Sequence, residues 1–280
     1  MNDDAAPTSI ESLDHFAALC ERAKHYQASL SERRLGLAAP EFWYPYSTMS
    51  NFHILNQLLS GPNRDLLRDI HPKRAADIGA GDGDLAFFLE QEGWEMTIID
   101  NPPTNWNGLQ GARLHRDSTG SQVKIVEMNL DSQFQLTDRY DLVFFLGILY
   151  HLKNPFYVLE QLGRHARYAI ISTRIMRWSK PDNELSESGE SAAPEAGSSR
   201  QLLADLPLAY LLGPTECNND GTNYWIFSDA GLRRILDRTG WEIEDYLIVG
   251  ATETADPFSA AGDARAFCFE IGSRHWSITA

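Results

Sequence analysis

Cysteine is scarce. Cys20, Cys217 and Cys268 are scattered through 280 residues with no CxxC pair, so the chain offers neither a zinc-ligand spacing nor an even disulfide framework. Basic residues are also short: 24 Lys and Arg stand against 39 Asp and Glu, a net charge of −15. Nucleic-acid affinity depends largely on Lys and Arg neutralising phosphates, and an acidic surface repels a polyanion. The richest basic run near a candidate site is Arg164 and Arg167 with His165 between them. A nucleic-acid substrate is therefore disfavoured. Long apolar runs are missing as well: none approaches the roughly 20 residues that span a bilayer. The start Met1-Asn2-Asp3-Asp4 lacks the basic flank and apolar stretch of a signal peptide. A soluble cytoplasmic protein is the expectation.

What is present is ordinary globular composition, 43% hydrophobic and 22% charged, in a length that suits one large α/β domain with additions or two small domains. Thr8-x-x-Glu11 reads as a capping box, and Ile10, Leu13, Phe16, Cys20 and Ala23 follow at helical spacing. The aromatic, proline-broken stretch Phe42-Trp43-Tyr44-Pro45-Tyr46 comes next. Ser50 then opens a second helix carrying Phe52, Leu55, Leu58 and Leu59, and Gly61-Pro62 closes it. Residues 1–62 thus read as a small helical cap. From Arg74 onward short apolar runs alternate with helical periods. Strands are expected at 75–78, 96–99, 123–128, 142–146, 168–172, 243–249 and 266–271, with helices at 85–91, 155–162 and 229–239. Asn154 is the expected N-cap of the middle one and Pro155 its first residue. Alternation of this kind implies a seven-stranded, mostly parallel sheet with helices on both faces, a Rossmann-like α/β domain over 63–280. Residues 181–200 are rich in Ser, Glu, Ala and Pro and are expected to form a mobile surface loop, within an insertion at about 179–222.

The most specific feature is Asp77-Ile78-Gly79-Ala80-Gly81-Asp82-Gly83, placed directly after a strand and before a helix. Glycines at alternate positions let the backbone turn and approach a ligand without Cβ interference, and the helix N-terminus behind offers free N–H groups. Asp100 ends the next strand, 17 residues after Gly83, where a carboxylate can accept the hydroxyl hydrogens of an adenosine ribose. Loop and carboxylate together fit an adenosine-bearing cofactor. Gly81-x-Gly83-x-x-Ala86 also satisfies the dinucleotide fingerprint. Asp77 ahead of the first glycine and the acidic surroundings favour a cationic sulfonium over a pyrophosphate.

A second signature follows the fourth strand: Gly147-Ile148-Leu149-Tyr150-His151, then Asn154-Pro155. With the glycine loop and Asp100, the chain resembles class I S-adenosylmethionine-dependent methyltransferases. Within them it is similar to the tRNA wobble-uridine carboxymethyltransferases and their relatives, with weaker matches at Trp43-Tyr44-Pro45-Tyr46 and Tyr224-Trp225-Ile226. The resemblance covers about 40–272 and thins across the insertion. It implies S-adenosyl-L-methionine as cofactor, held by Asp77, Gly79, Gly81, Gly83 and Asp100. Asn129, Leu130 and Asp131 beyond the third strand and Leu146 at the end of the fourth are implied at the adenosine; Asn129-x-Asp131 equally suits a plain turn. The carboxymethyl branch holds an extra carboxylate with cations, and residues 35–53 and 249–264 contain no Lys or Arg. The plain cofactor is expected for that reason.

Methyl transfer is an in-line displacement in which positioning dominates. A base is needed only if the nucleophile arrives protonated. His151 is the candidate base and Tyr150 a candidate wall of the transfer pocket, at the sheet edge where α/β ligands bind; His151 bracing the backbone is the competing reading. Glu216 and Asp220 are alternative bases, or solvated loop residues. Trp43, Tyr44 and Tyr46, expected to be exposed, either cover the ligand or anchor the cap. The leading expectation is a methyltransferase acting on a small molecule or metabolite. A tRNA-modifying enzyme, a nicotinamide-dependent oxidoreductase and a non-catalytic adenosyl-binding protein stay open beside it.

Overall fold

The computed structural model describes residues 14–132, 134–179, 201–257 and 264–272. The Thr8–Glu11 capping box and the 181–200 loop lie outside the described residues.

The described chain begins with α1 (His15–Leu35), whose first turn is capped by Asp14, its Oδ1 accepting from the Ala17 N–H at 3.0 Å. Two shorter helices follow, α2 (Asn51–Leu58) and α3 (Leu66–Asp69). Ser50 stands at the start of α2 but does not cap it. Its hydroxyl donates instead to the Ser47 carbonyl at 2.7 Å, satisfying a turn oxygen rather than a helix N–H. The alternating part comprises β1 (Arg74–Ile78), α4 (Asp84–Gln91), β2 (Glu95–Asp100), α5 (Gln110–Thr119), β3 (Lys124–Glu127), β4 (Tyr140–Leu146), α6 (Pro155–His165) and β5 (Ala166–Met176). Beyond it come β6 (Ala209–Leu211), the kinked turn α7 (Glu216–Asn219), β7 (Trp225–Ser228), α8 (Asp229–Arg238), β8 (Trp241–Gly250) and β9 (Ala264–Gly272).

Among the described residues nine strands form one sheet. The central path runs β3-β2-β1-β4-β5, all parallel, and β9 joins β5 antiparallel with β8 beyond it. These are the seven expected strands. Two more are added where none was expected: the last residues of β5, Ile175 and Met176, pair with β7, which pairs with β6. Length explains the branch, because β5 has 11 residues and outruns β4, whose pairing ends at Leu146 opposite Ser172. The inner strands β1, β2, β4 and β5 are mostly apolar and buried along their middles, as a parallel sheet with helices on both faces requires.

Two cores result. One, on the face of α1, α2 and α4, gathers Phe16, Phe52, Leu55, Phe87, Phe88, Phe144 and Phe269; the other, beneath α6 and α8, gathers Val143, Phe145, Leu159, Leu162, Leu232 and Leu236. The cap helices therefore share a core with the sheet. α4 is buried all along Leu85–Leu89 because it is sandwiched between cap and sheet, each large side chain contributing about 1.5–3 kcal/mol.

Asn154 and Pro155 do open α6. The Asn154 side chain makes no cap to the helix, however: Asp131 Oδ1 accepts the Lys153 and Asn154 N–H groups at 2.8 and 3.0 Å. The carboxylate from the β3–β4 connection supplies the negative end that the helix dipole favours.

Candidate functional site

The Gly79–Gly83 bend follows from the sequence because its residues sit at backbone angles and in spaces that exclude side chains. Gly79 has φ +70°, and a Cβ there would lie 2.2 Å from Ile148 Cδ1; Gly81 has φ +61°, and a Cβ would lie 3.0 Å from the Tyr44 ring. Both values fall in the left-handed region that L side chains avoid. The bend is therefore pressed between the second signature on one side and the aromatic stretch of the cap on the other.

Asp100 faces this bend. Its Oδ2 accepts from the Gly81 N–H at 3.2 Å and from Asn105 Nδ2 at 2.9 Å, and Oδ1 accepts from the Asn101 N–H at 2.7 Å. Asn105 Nδ2 also donates to the Gly81 carbonyl at 3.1 Å, tying carboxylate, loop and the segment after β2 together. Three of roughly four acceptor positions on the carboxylate are used. Oδ1 keeps room for one further donor, where the sequence suggested two hydroxyls. Burial raises the Asp100 carboxyl pKa, against the three hydrogen bonds that lower it.

Asp77 is fully enclosed under the loop, and its Oδ2 has no hydrogen-bond partner. Burial, reinforced by the charges of Asp100 and Asp84, pushes its carboxyl up to about 8, so near neutrality it is mostly protonated and holds a donor as well as an acceptor.

Asp82, the non-glycine residue between Gly81 and Gly83, clamps the cap. Its Oδ2 accepts the Tyr44 N–H at 2.6 Å and Arg34 Nη2 at 3.3 Å, and Oδ1 accepts Asn107 Nδ2 at 2.7 Å. Arg34, from the last turn of α1, also reaches Asp84 Oδ1 at 2.6 Å while its guanidinium stacks 4.6 Å from the Trp43 ring centre. Trp43 is thus buried, at 5% exposure, contrary to the expectation of an exposed aromatic; only Tyr46 is, at 72%. The proline breaks the helix but the stacked arginine supplies the packing. Tyr44 is half-buried between them, and burial raises its hydroxyl pKa, with Tyr46 and Asp100 adding to the effect and Arg265 opposing it. Sequence reading missed Arg34, Asn105 and Asn107 because each acts through folding contacts rather than through a motif.

The adenosine-side residues have local tasks. Asn129 Oδ1 accepts the Asp131 N–H at 3.0 Å, and Asp131 Oδ1 holds the start of α6 as described. The turn reading accounts for the Asn129–Asp131 hydrogen bond, and the Asp131 side chain turns to α6 instead. Leu130 is buried in the second core, and Leu146 packs at the edge of the first.

On the other side of Gly147, a short 3-10 turn, Leu149–His151, carries Tyr150 and His151, their ring centres 4.2 Å apart. The insertion comes back to this turn: the Tyr224 N–H donates to the Tyr150 carbonyl at 2.8 Å. His151 Nδ1 lies 3.1 Å from both the Thr222 carbonyl and its hydroxyl. Burial lowers the His151 pKa, with Arg174 acting in the same direction and Thr222 and Asp220 opposing, so the ring is neutral at pH 7. Glu216, an alternative base by sequence, stitches the loop instead, its oxygens taking the Gly213 N–H at 2.7 Å and the Tyr210 hydroxyl at 3.2 Å.

Two cations escaped the sequence windows. Arg174 near the end of β5 and Arg265, one residue past 249–264, are paired across the ladder; Arg174 acts on His151 and Asp220, and Arg265 on Tyr44. The absence of cations in 249–264 therefore does not leave this end of the sheet without them. A separate cleft of about 450 Å3, between α6 and β6–β7 and lined by Phe156, Tyr157, Trp225 and Phe227, contains none of the expected site residues.

Among the described residues no helix is long and apolar enough to cross a membrane. A family model described as a methyltransferase domain matches residues 52–246. The ubiquinone biosynthesis O-methyltransferase of Yersinia pestis (strain Pestoides F) is 25% identical over 164 residues, which cover 56% of this chain and 66%, just under two thirds, of that protein. Among solved structures, the N-terminal domain of EvdMO1 with SAH bound is 16% identical, with 95% of this chain and 100% of that one covered and a TM-score of 0.49. The mitomycin 7-O-methyltransferase MmcR is also 16% identical, over 71% of this chain and 48% of that one, with a TM-score of 0.44.

Proposed function

This chain belongs to the methyltransferase-domain family, and on that premise we propose that it transfers a methyl group from S-adenosyl-L-methionine to a small-molecule acceptor. The observation that carries the reading is the pairing of the Gly79–Gly83 bend with Asp100, joined by the Gly81 N–H. The residues fit the cofactor. A bend with glycine at three of its five positions, a carboxylate with one acceptor position left, and the unpartnered buried oxygen of Asp77 are a suitable donor and acceptor set for an adenosyl amino acid. In this reading Asp100 holds the ribose, the bend and Asp77 hold the amino-acid end, and Tyr44 covers them. Asn129, Leu130, Asp131 and Leu146 border the adenosine through backbone and apolar surface. When bound, the cofactor supplies a methyl group activated on a sulfonium. The chain's own contribution is then to position, to exclude water and to accept a proton.

His151 is the base of this scheme, neutral at pH 7 and set beside Tyr150, which walls the pocket. The relative named an O-methyltransferase and the net charge of −15 support a small acceptor over a polynucleotide. The test is to incubate the protein with methyl-labelled cofactor and a panel of hydroxylated metabolites and to follow transferred label; transfer to none of them, with transfer to tRNA, would replace the acceptor class.

One observation favours a second reading, kinship with the tRNA wobble-uridine enzymes and a carboxylated cofactor: the Arg174–Arg265 pair at this end of the sheet. Competition between plain and carboxylated S-adenosylmethionine for the same site separates the two.

A further inference from the structure

The insertion before β7 carries an arrangement around His151 that the sequence reading did not anticipate. Three consecutive residues without glycine's freedom, Cys217, Asn218 and Asn219, have φ of 53°, 71° and 53°. Left-handed backbone in L residues persists only where the surroundings hold it. The buried Asn223 side chain helps to do so, its Nδ2 donating to the Cys217 carbonyl at 2.9 Å. This coil delivers Asp220 and Thr222 to His151. Asp220 Oδ1 accepts the Thr222 hydroxyl at 2.6 Å and the Thr222 N–H at 2.9 Å.

The hydrogen inventory then fixes the ring. A threonine hydroxyl has one hydrogen, and here it is given to Asp220. Toward His151 the Thr222 oxygen can only accept, and the Thr222 carbonyl can only accept as well. Both groups within 3.1 Å of Nδ1 are acceptors, so Nδ1 carries the hydrogen. In a neutral imidazole that leaves the lone pair on Nε2.

We infer that Asp220 and Thr222 are positioning residues that hold His151 in its Nδ1–H tautomer, so that Nε2 takes the proton of a hydroxyl-bearing acceptor. The assignment rests on the functional reading above, in which His151 is the base, and it narrows the acceptor to an alcohol or phenol. In the step the O–H bond of the acceptor breaks, an N–H bond forms at Nε2 and the oxygen keeps the electron pair; as it bonds to the methyl carbon, the bond from that carbon to the cofactor's sulfur would break, and the sulfur would keep that pair and leave as a neutral thioether. The resulting imidazolium faces the Asp220 carboxylate through the Thr222 hydroxyl, as the orienting acid does in other acid–base relays. The ionisable groups acting on the ring are Asp220 from the insertion, which favours the charged form, and Arg174 from β5, which opposes it; the Tyr150 ring lies beside it on the same turn, tilted by 42°. Partial burial opposes ionisation of Asp220, but its two bonds from Thr222 outweigh this and hold its carboxyl below the usual range. Asp220 is thus anionic wherever His151 titrates.

The test needs no acceptor. Long-range proton–nitrogen NMR on the full chain reads the tautomer and titration of His151 directly, with His151→Gln assigning the signal. The wild type should show a hydrogen on Nδ1 and a bare Nε2 at high pH. Asp220→Asn and Thr222→Val should each lower the titration midpoint by about 0.5–1 pH unit, as the imidazolium loses its anionic partner, while Thr222→Ser restores it. A bare Nδ1 in the wild type, or unchanged midpoints in both folded variants, would overturn the assignment. Circular dichroism checks that the variants fold, and the serine variant keeps the test open if valine does not. Binding of S-adenosylhomocysteine is measured separately: its failure removes the functional reading while the tautomer result stands.

Discussion

The Gly81 backbone N–H points at the Asp100 carboxylate, 3.2 Å from Oδ2. One carboxylate thus braces the bend and still offers an oxygen to a ligand. Replacing Asp100 with Ala removes both. A charge-assisted hydrogen bond contributes about 1.5–3 kcal/mol, and about 1.4 kcal/mol is tenfold in affinity. Affinity for S-adenosylhomocysteine, measured by calorimetry, should fall by at least tenfold. Unchanged affinity would remove Asp100 from the site.

Gly81→Val tests the bend itself. Its Cβ would meet the Tyr44 ring at 3.0 Å, and the residue would keep φ at +61°, a strain of about 1–3 kcal/mol. Cofactor binding should be lost while far-ultraviolet circular dichroism stays close to wild type. Retained binding would place the ligand elsewhere.

Arg34 tests the clamp between cap and loop. It pairs with Asp82 and Asp84, whose side chains are 2% and 8% exposed, and is itself 16% exposed. Arg34→Leu leaves two buried carboxyls without their cation. Burial already holds Asp84 up to about 6, with the Arg34 charge opposing it. Loss of a buried partner costs about 3 kcal/mol or more, to be read from urea unfolding. Hydrogen exchange in residues 37–50 should accelerate. A stability within 0.5 kcal/mol of wild type, as for about any surface change, would show the clamp to be superficial.

Much of this was legible in advance, and the limits have a physical pattern. The seven strands show in the sequence as short apolar runs, five of them (β1, β2, β4, β5 and β9) largely buried and β3 and β8 only in part, and the bend shows because Gly79 and Gly81 need angles other residues avoid. Asp100 is found by its place at a strand end. What escaped depends on meetings between distant segments. Thr222 and His151 are 71 positions apart, and Arg34 and Asp84 are 50 apart. Trp43 seemed exposed because nothing local indicates that an arginine will stack on it. Nothing local to Asp131 shows that α6 starts on its carboxylate. β6 and β7 were missed because they are short and owe their pairing to the overhang of β5.

Glu270 makes a prediction about pH. It is completely buried, and burial, opposed only by the neighbouring Cys268 thiol, raises its pKa well above 4.5. The native chain therefore keeps a proton there that the unfolded chain releases above about pH 4.5. The folded state binds more protons, so stability from this group is fully present below the unfolded pKa and is lost as pH rises toward the folded one. Glu270→Gln removes the titration. Its stability should exceed that of the wild type at pH 8 by more than at pH 5, as read by thermal melting; an equal difference at both would deny a protonated Glu270.

The central claim is that the bend and Asp100 form a site for an adenosyl amino acid and not for a dinucleotide. Parallel calorimetric titrations of the wild-type chain with S-adenosylhomocysteine and with NAD test it most directly. Saturable binding of S-adenosylhomocysteine, absent in Gly81→Val, with no heat from NAD, is the predicted result. Saturable binding of NAD, or silence from S-adenosylhomocysteine in a folded protein, would contradict it.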